Sequence, residues 1–527
     1  MSKIMMVHGF VLDGTGSNLY VRNIVKKMCE MGQDVVLVCQ EFTPDKYDYI
    51  SKCIRQKDND YVVEFERETP YPGKCDIYIP DTHNELLVYV YDRYKDLKVR
   101  EMKDVSNEEI DAYVSLNASC IQHICETNDI SKVYANHLVL QPQYVYQGLQ
   151  AAKSKAQFNV ICHGSDINYA ISKNQYLDQL SRVTLLAADN LIAVSQHSKE
   201  TMKKTYPDLD LERVKVINAG LDESLYGSMD KDLEMSMLSE YIDKHQELGF
   251  SSKQVEMIKD MVESNNYDFD KVQESYEPKD VEIGIKDDLF NKMYSNDYER
   301  VIYLGKYLEQ KGIIPLVLGL PLIYSDNPKV VTLFIGFGAL RAKLEYIIQL
   351  LMAERFDDIF DNADKLGVTL KEDFAILEVL KENLKNEDYL NQYKKGLAYL
   401  KTNTLFTGYF DQKYAMRILA HGNVSIFPSI YVEAFGMVII EAMASKVTPL
   451  VSRHSGFKET LEIAASKIKD LDIKNYSVEL DKDMMDNIAK KTIELLSKDN
   501  TYFNNEMSTF ALANYGWGGI TKQLMDI

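Results

Sequence analysis

Two glutamates frame the run Pro428-Ser-Ile-Tyr-Val-Glu433-Ala-Phe-Gly-Met-Val-Ile-Ile-Glu441-Ala-Met-Ala. Residues Ala434 to Ser445 have helix-forming composition, which predicts Glu433 at a helix start and Glu441 about two turns inside. At a rise of about 1.5 Å per residue, the two carboxylates lie ~12 Å apart along the axis. That separation suits the two ends of a nucleotide sugar and not one acid–base pair at a single bond. A carboxylate accepts hydrogen bonds from vicinal hydroxyls, so one glutamate can hold a sugar and the other a ribose. Between them, the N–H groups of Ala434, Phe435, Gly436 and Met437 can face a diphosphate, with Gly436 permitting close approach. In isolation a capping glutamate and an ordinary surface glutamate on an amphipathic helix would be the better reading.

Three further clusters bear on that choice. In Gly305-Lys306-Tyr-Leu-Glu-Gln-Lys311-Gly312, two lysines in a turn can converge on a diphosphate as paired positive charges. His163-Gly-Ser-Asp166 follows an apolar strand, where the imidazole can meet sugar hydroxyls or a developing charge; a plain Asx turn is the alternative. Asp13-Gly-Thr-Gly16-Ser-Asn18 joins a strand to a helix and can admit an anion. It could also be a dinucleotide fingerprint with Glu41 on the ribose, but Leu19 stands where the third glycine belongs. The triplets Asp58/Asp60, Asp208/Asp210, Asp268/Asp270 and Asp470/Asp472 lie in charged surroundings and read as surface charge, so no metal is expected. Among the histidines, His8 and His454 have no motif around them, and His137 ends a short strand.

These clusters need elements to position them. Strands alternate with segments of helical period: Lys3–Leu12, Asp34–Cys39, Lys132–Ala135, Phe158–Cys162, Leu191–Val194 and Val214–Ile217, then Val301–Leu304, Val330–Ile335, Thr404–Thr407, Val424–Phe427 and Val447–Val451. Two such series predict two doubly wound α/β domains facing each other across a cleft, with ligands beyond the carboxyl ends of the strands. The expected limits are 1–225 for the first domain, with about 506–527 packing back on it, and 299–505 for the second. Residues 226–298 and 340–402 read as helical insertions, solvated decoration in the plainest view, and about 44–110 as an elaboration of the first domain.

Composition narrows the classes. The 60 Lys and Arg against 80 Asp and Glu leave a net charge of −20, which repels nucleic acid and anionic lipid, so an anionic ligand needs a local basic site. No run approaches the ~18 apolar residues of a membrane span, and the N-terminus lacks a signal-peptide pattern. All seven cysteines lie between Cys29 and Cys162 without a Cys-x-x-Cys pair, which suggests buried thiols in a reducing, cytoplasmic compartment.

The ordered set, consisting of the Gly-rich loop, Asn136-His137, His163-Gly-x-Asp166, Ser195, Gly220-Leu-Asp222, Lys306 and Lys311, Gly336-x-Gly338, Phe406-Thr-Gly408 and Glu433-x7-Glu441, resembles the family 4 retaining glycosyltransferases of the GT-B fold. Tyr89-Val-Tyr-Asp92 and Asn136-His-Leu-Val139 are similar to a subgroup of them. The resemblance implies metal-independent transfer in carbohydrate biosynthesis, with a UDP- or GDP-sugar as co-substrate and no other cofactor. The acceptor would be a glycan, lipid-linked or small-molecule hydroxyl bound on the first-domain side. It assigns Glu433 to the donor sugar, Glu441 to the ribose, Lys306 and Lys311 to the departing diphosphate, His163 to the side of the sugar, Gly305 to donor binding, and Gly16 to admitting the diphosphate or acceptor. Lys306 departs from the family, which often has arginine there and so a bidentate grip. A catalytically silent protein that binds a nucleotide sugar or a partner is the alternative.

Overall fold

The central strands are buried along both faces. β1 (Lys3–Val7), β2 (Val35–Val38), β12 (Glu299–Leu304) and β13 (Val330–Ile335) are short aliphatic runs with almost every side chain covered, the pattern of parallel sheets clad by helices. The structure, a computed structural model, describes residues 2–14, 16–58, 60–89, 97–274 and 280–527. Val90, Tyr91 and Asp92 of the Tyr89–Asp92 segment lie outside the described residues. The chain divides into two compact units, residues 1–222 with 515–527, and residues 223–514.

The remaining strands of the first unit are β3 (Ile50–Lys57), β4 (Asp60–Glu66), β5 (Cys75–Ile79), β6 (Glu85–Val88), β7 (Lys98–Glu101), β8 (Ile130–Asn136), β9 (Gln157–Cys162), β10 (Asn190–Ala193) and β11 (Val214–Val216). They form a sheet in the order β11-β10-β9-β8-β1-β2-β5-β3-β4, with β6 and β7 pairing separately. All neighbours in the long sheet are parallel except β3 and β4. The segment expected as an elaboration therefore extends the main sheet. β1 stops at Val7, short of the predicted Leu12, because Gly9 turns the chain at φ +82°. The unit is completed from far along the chain. Trp517 is fully buried beside Tyr20, and the hydroxyl of Tyr134 donates to the carbonyl of Leu524 at 2.6 Å. This return starts at Tyr515 and not near 506, since Met507 is buried in the second unit and Ser508 donates to the carbonyl of Ala444.

The second unit adds β14 (Thr404–Gly408), β15 (Val424–Phe427), β16 (Thr448–Ser452) and β17 (Ser477–Val478) in the order β14-β13-β12-β15-β16-β17, all parallel. Connections run outward in both directions from β12, so the order reverses between β12 and β15. Loops leaving the carboxyl ends of these two strands therefore border the crevice where such sheets bind ligands.

Residues 226–298 are not decoration. Helices Lys231–His245 and Ile285–Tyr294 put Leu238, Ile242, Leu289 and Met293 into one core with Ile302, Leu333, Ile335 and Leu405 of the sheet. Glu282 and Glu345 clasp Arg341, whose guanidinium lies 4.0 Å from the ring centres of both Phe250 and Phe406. Residues 340–402 are helical as expected, from Arg341–Met352 to Leu400–Asn403. Among the described residues no helix is long and apolar enough to cross a membrane.

Candidate functional site

In the second unit β12 leads into the lysine loop. Gly305 N–H donates to Ile335 at 3.0 Å, the turn Glu309–Lys311 follows, and Gly312 starts the buried helix Ile313–Asp326. Gly312 has φ +65°, and a Cβ there would stand 1.9 Å from the carbonyl oxygen of Pro428. Only glycine lets the two loops at the sheet's crevice touch. Gln310 O then accepts from the N–H groups of Ile430 and Tyr431 at 2.9 and 3.0 Å, which locks the lysine loop to the loop leaving β15.

That contact brings Lys311 and Glu433 together, with Nζ 2.6 Å from Oε1. Burial works against the charge on Glu433. The Lys311 ammonium, its hydrogen bond, the Ser429 hydroxyl and His454 outweigh burial and hold the carboxyl below its ordinary range. Lys306 places its Nζ 5.5 Å from the centre of the Phe337 ring, while its carbonyl accepts from the Tyr303 hydroxyl.

Glu433 is not at a helix start. The helix runs Met437–Ala444 and is preceded by Gly436 at φ +82°, so Glu433, Ala434 and Phe435 lie in the loop and only Met437 of the four backbone candidates is helical. The chain turns left-handed at Gly436 before the helix begins, and a Cβ there would stand 2.3 Å from the Phe457 ring, so only glycine fits. Glu441 is consequently little more than one turn inside, not two. It is buried, and Gln412 Nε2 donates to its Oε1 at 2.8 Å. Burial raises its pKa to about 6, against the opposing hydrogen bond from Gln412. Gln412 was not among the sequence candidates, and His454, near Ser455 and Gly456, stood only as a residue that could approach the donor. They sit at the starts of the helices Gln412–Leu419 and Ser455–Lys467, and no spacing marks them.

The first unit gathers its own cluster. His163 follows β9, and its Nε2 lies 2.8 Å from Asn136 Oδ1. Asn136 Nδ2 donates to Val7 O, so its oxygen faces the ring and Nε2 carries the proton. His137 lies 4.8 Å from the His163 ring and 6.0 Å from that of His8, centre to centre, and His8 Nε2 meets Asn18 Oδ1 at 2.9 Å. Burial lowers the pKa of His163 to about 3 and of His8 to about 4, and that of His137 well below its ordinary value. All three rings are neutral at physiological pH. His8 thus has a place in the cluster that its bare sequence context did not mark. Asp166 is buried, not a surface turn. Its carboxylate accepts from Leu138 N–H at 2.7 Å and Ile167 N–H at 3.0 Å, and burial raises its pKa to about 6.

In the Gly-rich loop, Asp13 pairs with Arg22 and Lys46, Gly14 has open space around it, and Gly16 begins the helix Gly16–Glu30. Glu41 is unavailable to a ribose, because it accepts from the N–H groups of Leu12, Phe42 and Thr43. The eight aspartates of the Asp-x-Asp triplets are all exposed, and among the described residues no group of three or more His, Cys, Asp or Glu could hold a metal ion.

Residues 384–501, which carry Lys394 through Glu441 and the strands β14 to β17, match the family Glycosyl transferases group 1. No curated protein matches the chain in sequence. Its fold is that of solved structures at low identity. Sucrose-phosphate synthase from Thermosynechococcus elongatus is 13% identical with a TM-score of 0.54, covering 100% of this chain and 98% of that one. Anabaena HepE, in complex with UDP and glucose, is 13% identical with a TM-score of 0.54, covering 100% and 99%. A structure titled as trehalose-6-phosphate from E. coli bound with UDP-2-fluoro glucose is 10% identical with a TM-score of 0.53, covering 100% and 98%. With the GT-B fold along its length and the group 1 segment within its second unit, the chain is a glycosyltransferase.

Proposed function

We propose that this enzyme transfers a sugar from a nucleotide-diphosphate sugar to an acceptor hydroxyl with retention of anomeric configuration. One observation carries the reading: the Lys311–Glu433 ion pair at the point where the strand order of the second sheet reverses. In this reading Glu433 binds donor-sugar hydroxyls and Lys311 turns to the departing diphosphate. Lys306 and the N–H groups near Met437 add positive charge, which is preorganised and needs no rearrangement as the bond breaks. Glu441 and Gln412 hold the ribose together, the carboxylate accepting from hydroxyls and the amide fixing its plane. The acceptor hydroxyl attacks from the face the diphosphate leaves. In the first unit, neutral His163 donates through Nε2 to Asn136 and offers its Nδ1 lone pair to a hydroxyl.

Uracil is the proposed base of the donor nucleotide, a reading supported by the UDP complexes of HepE and of the E. coli structure. The test is a thermal-shift and hydrolysis screen against UDP-, GDP- and ADP-sugars. A UDP-sugar is expected to raise Tm, and Glu433→Gln to lower turnover by on the order of 100-fold. Failure of every nucleotide sugar to bind, or unchanged turnover in the variant, refutes the reading.

A further inference from the structure

We infer that His454 and Ser455 are positioning residues for Glu433, an inference that rests on the transferase reading above. Both lie just after β16, on the opposite side of Glu433 from Lys311 in sequence. Ser455 Oγ accepts from the N–H of Glu433 at 3.0 Å and lies 3.0 Å from His454 Nδ1, and His454 Nε2 lies 2.7 Å from the carbonyl oxygen of Ser429. A carbonyl only accepts, so in the neutral ring Nε2 bears the proton and Nδ1 is a lone pair. The Ser455 hydroxyl therefore donates to Nδ1 and keeps its own lone pairs for the Glu433 N–H. Every proton in the chain from Glu433 to Ser429 has one place. The next residue completes the clamp: Gly456 N–H donates to the carbonyl of Glu433 at 2.9 Å, and a Cβ on Gly456 would stand 2.6 Å from Phe435 O and 2.8 Å from Glu433 O. Both backbone groups of Glu433 are thus held by the first two residues of the helix Ser455–Lys467.

The backbone of Ser455 argues that its hydroxyl is there for a reason. Its φ is +48°, in the left-handed region where glycine is at ease and a residue with a Cβ is strained. A turn that needed only this shape would be served better by glycine. Strain of this kind persists where the surroundings impose it, and here the imposed group is the hydroxyl that meets Glu433. Glu433 has no helix to fix it, since the regular structure begins only at Met437. Its carboxylate is aimed by Lys311 at one end and by this relay at the backbone, and a displacement of about 1 Å at such a group lowers the rate by on the order of 100-fold without loosening the nucleotide.

Ser455→Gly isolates the hydroxyl, because it removes the Oγ while relieving the backbone. With UDP-glucose as the probe, UDP release and Tm are measured for wild type, Ser455→Gly, His454→Phe, Glu433→Gln and the combinations. The expected result for Ser455→Gly is an unchanged or raised Tm, a KM within about threefold of wild type, and a kcat lowered about 10-fold or more. His454→Phe keeps the ring and loses both nitrogens, and its loss in kcat should not add to that of Ser455→Gly. In the Glu433→Gln background, Ser455→Gly should change nothing further. The inference is overturned if Ser455→Gly keeps kcat within twofold, if the two losses multiply, or if Ser455→Gly lowers kcat further when Glu433 is already gone. In each of these cases a large loss from Glu433→Gln alone leaves the transferase reading intact. Absence of both binding and turnover of UDP-glucose in the wild type overturns the two together.

Discussion

Lys311 and Glu433 neutralise each other across two loops, and Gly312 is what lets those loops touch. Gly312→Ala has to move Pro428 or twist out of the left-handed region, at a cost of about 2–5 kcal/mol from strain and overpacking together. A fall in the denaturation midpoint of the second unit, with Lys311 released from Glu433, is the expected outcome; a midpoint equal to wild type would show that the loops approach by other means. At this scale the sequence was informative where residue type and spacing coincide. Two lysines between glycines and two glutamates on one segment single out these stretches, and the structure joins Lys311 of the first to Glu433 of the second. The partners that set those groups in place were illegible, because Gln412 meets Glu441 and Ser455 meets Glu433 only after the sheet has been assembled. Gly436 was read as admitting a diphosphate, whereas its left-handed turn against the ring of Phe457 could not be read from the sequence.

The elements tell a similar story. Strands with continuous burial announce themselves as aliphatic runs, and most fell within a residue or two of their places. β17, with Ser477 and Val478 alone, has too little sequence to be read. Residues 226–298 misled through composition, since their charged faces outnumber the few apolar positions, such as Leu238 and Ile242, that enter the core. The same region supplies Glu282 to the buried Arg341, with bonds of 3.0 Å to Glu282 and 3.2 Å to Glu345 from its terminal nitrogens. Arg341→Met leaves two buried carboxylates without their cation, and the expected loss is about 3–5 kcal/mol in urea unfolding of the second unit. Adding Glu282→Gln removes one of those charges and should restore part of the loss. If the double variant is no more stable than the single, the guanidinium acts through its stacking on Phe250 and Phe406 and not through charge.

On the scale of the whole molecule the two units respond to acid with opposite signs. In the first, His8, His137 and His163 have folded pKa values below the ordinary 6.5, so the unfolded chain binds more protons below that pH. Stability falls there by about 1.4 kcal/mol per pH unit for each ring. Asp166, raised to about 6, opposes them as a single group. In the second unit the shifts run the other way. Burial beside Glu309 and Glu372 raises Asp373 to about 8, and burial raises Glu441 to about 6, so their contributions are lost as pH rises and regained on acidification. The depressed carboxyl of Glu433 matters only below its ordinary value of 4.5. Between pH 8 and 5 the first unit should therefore weaken while the second does not. The single tryptophan, Trp517, belongs to the first unit and reports on it alone. Its fluorescence midpoint should fall with pH while the helical circular dichroism signal persists, and coincident midpoints at every pH would contradict the assignment.

The first unit is closed by residues from the far end of the chain, with Trp517 against Tyr20 and Leu524 against Tyr134, whereas the second is one uninterrupted stretch. During translation the usual order is therefore inverted. The N-terminal half, although made first, cannot close its core until residues 515–527 have followed the whole of the second unit. Chaperones acting on the nascent chain would find their substrate in the older segment, until residues 515–527 emerge.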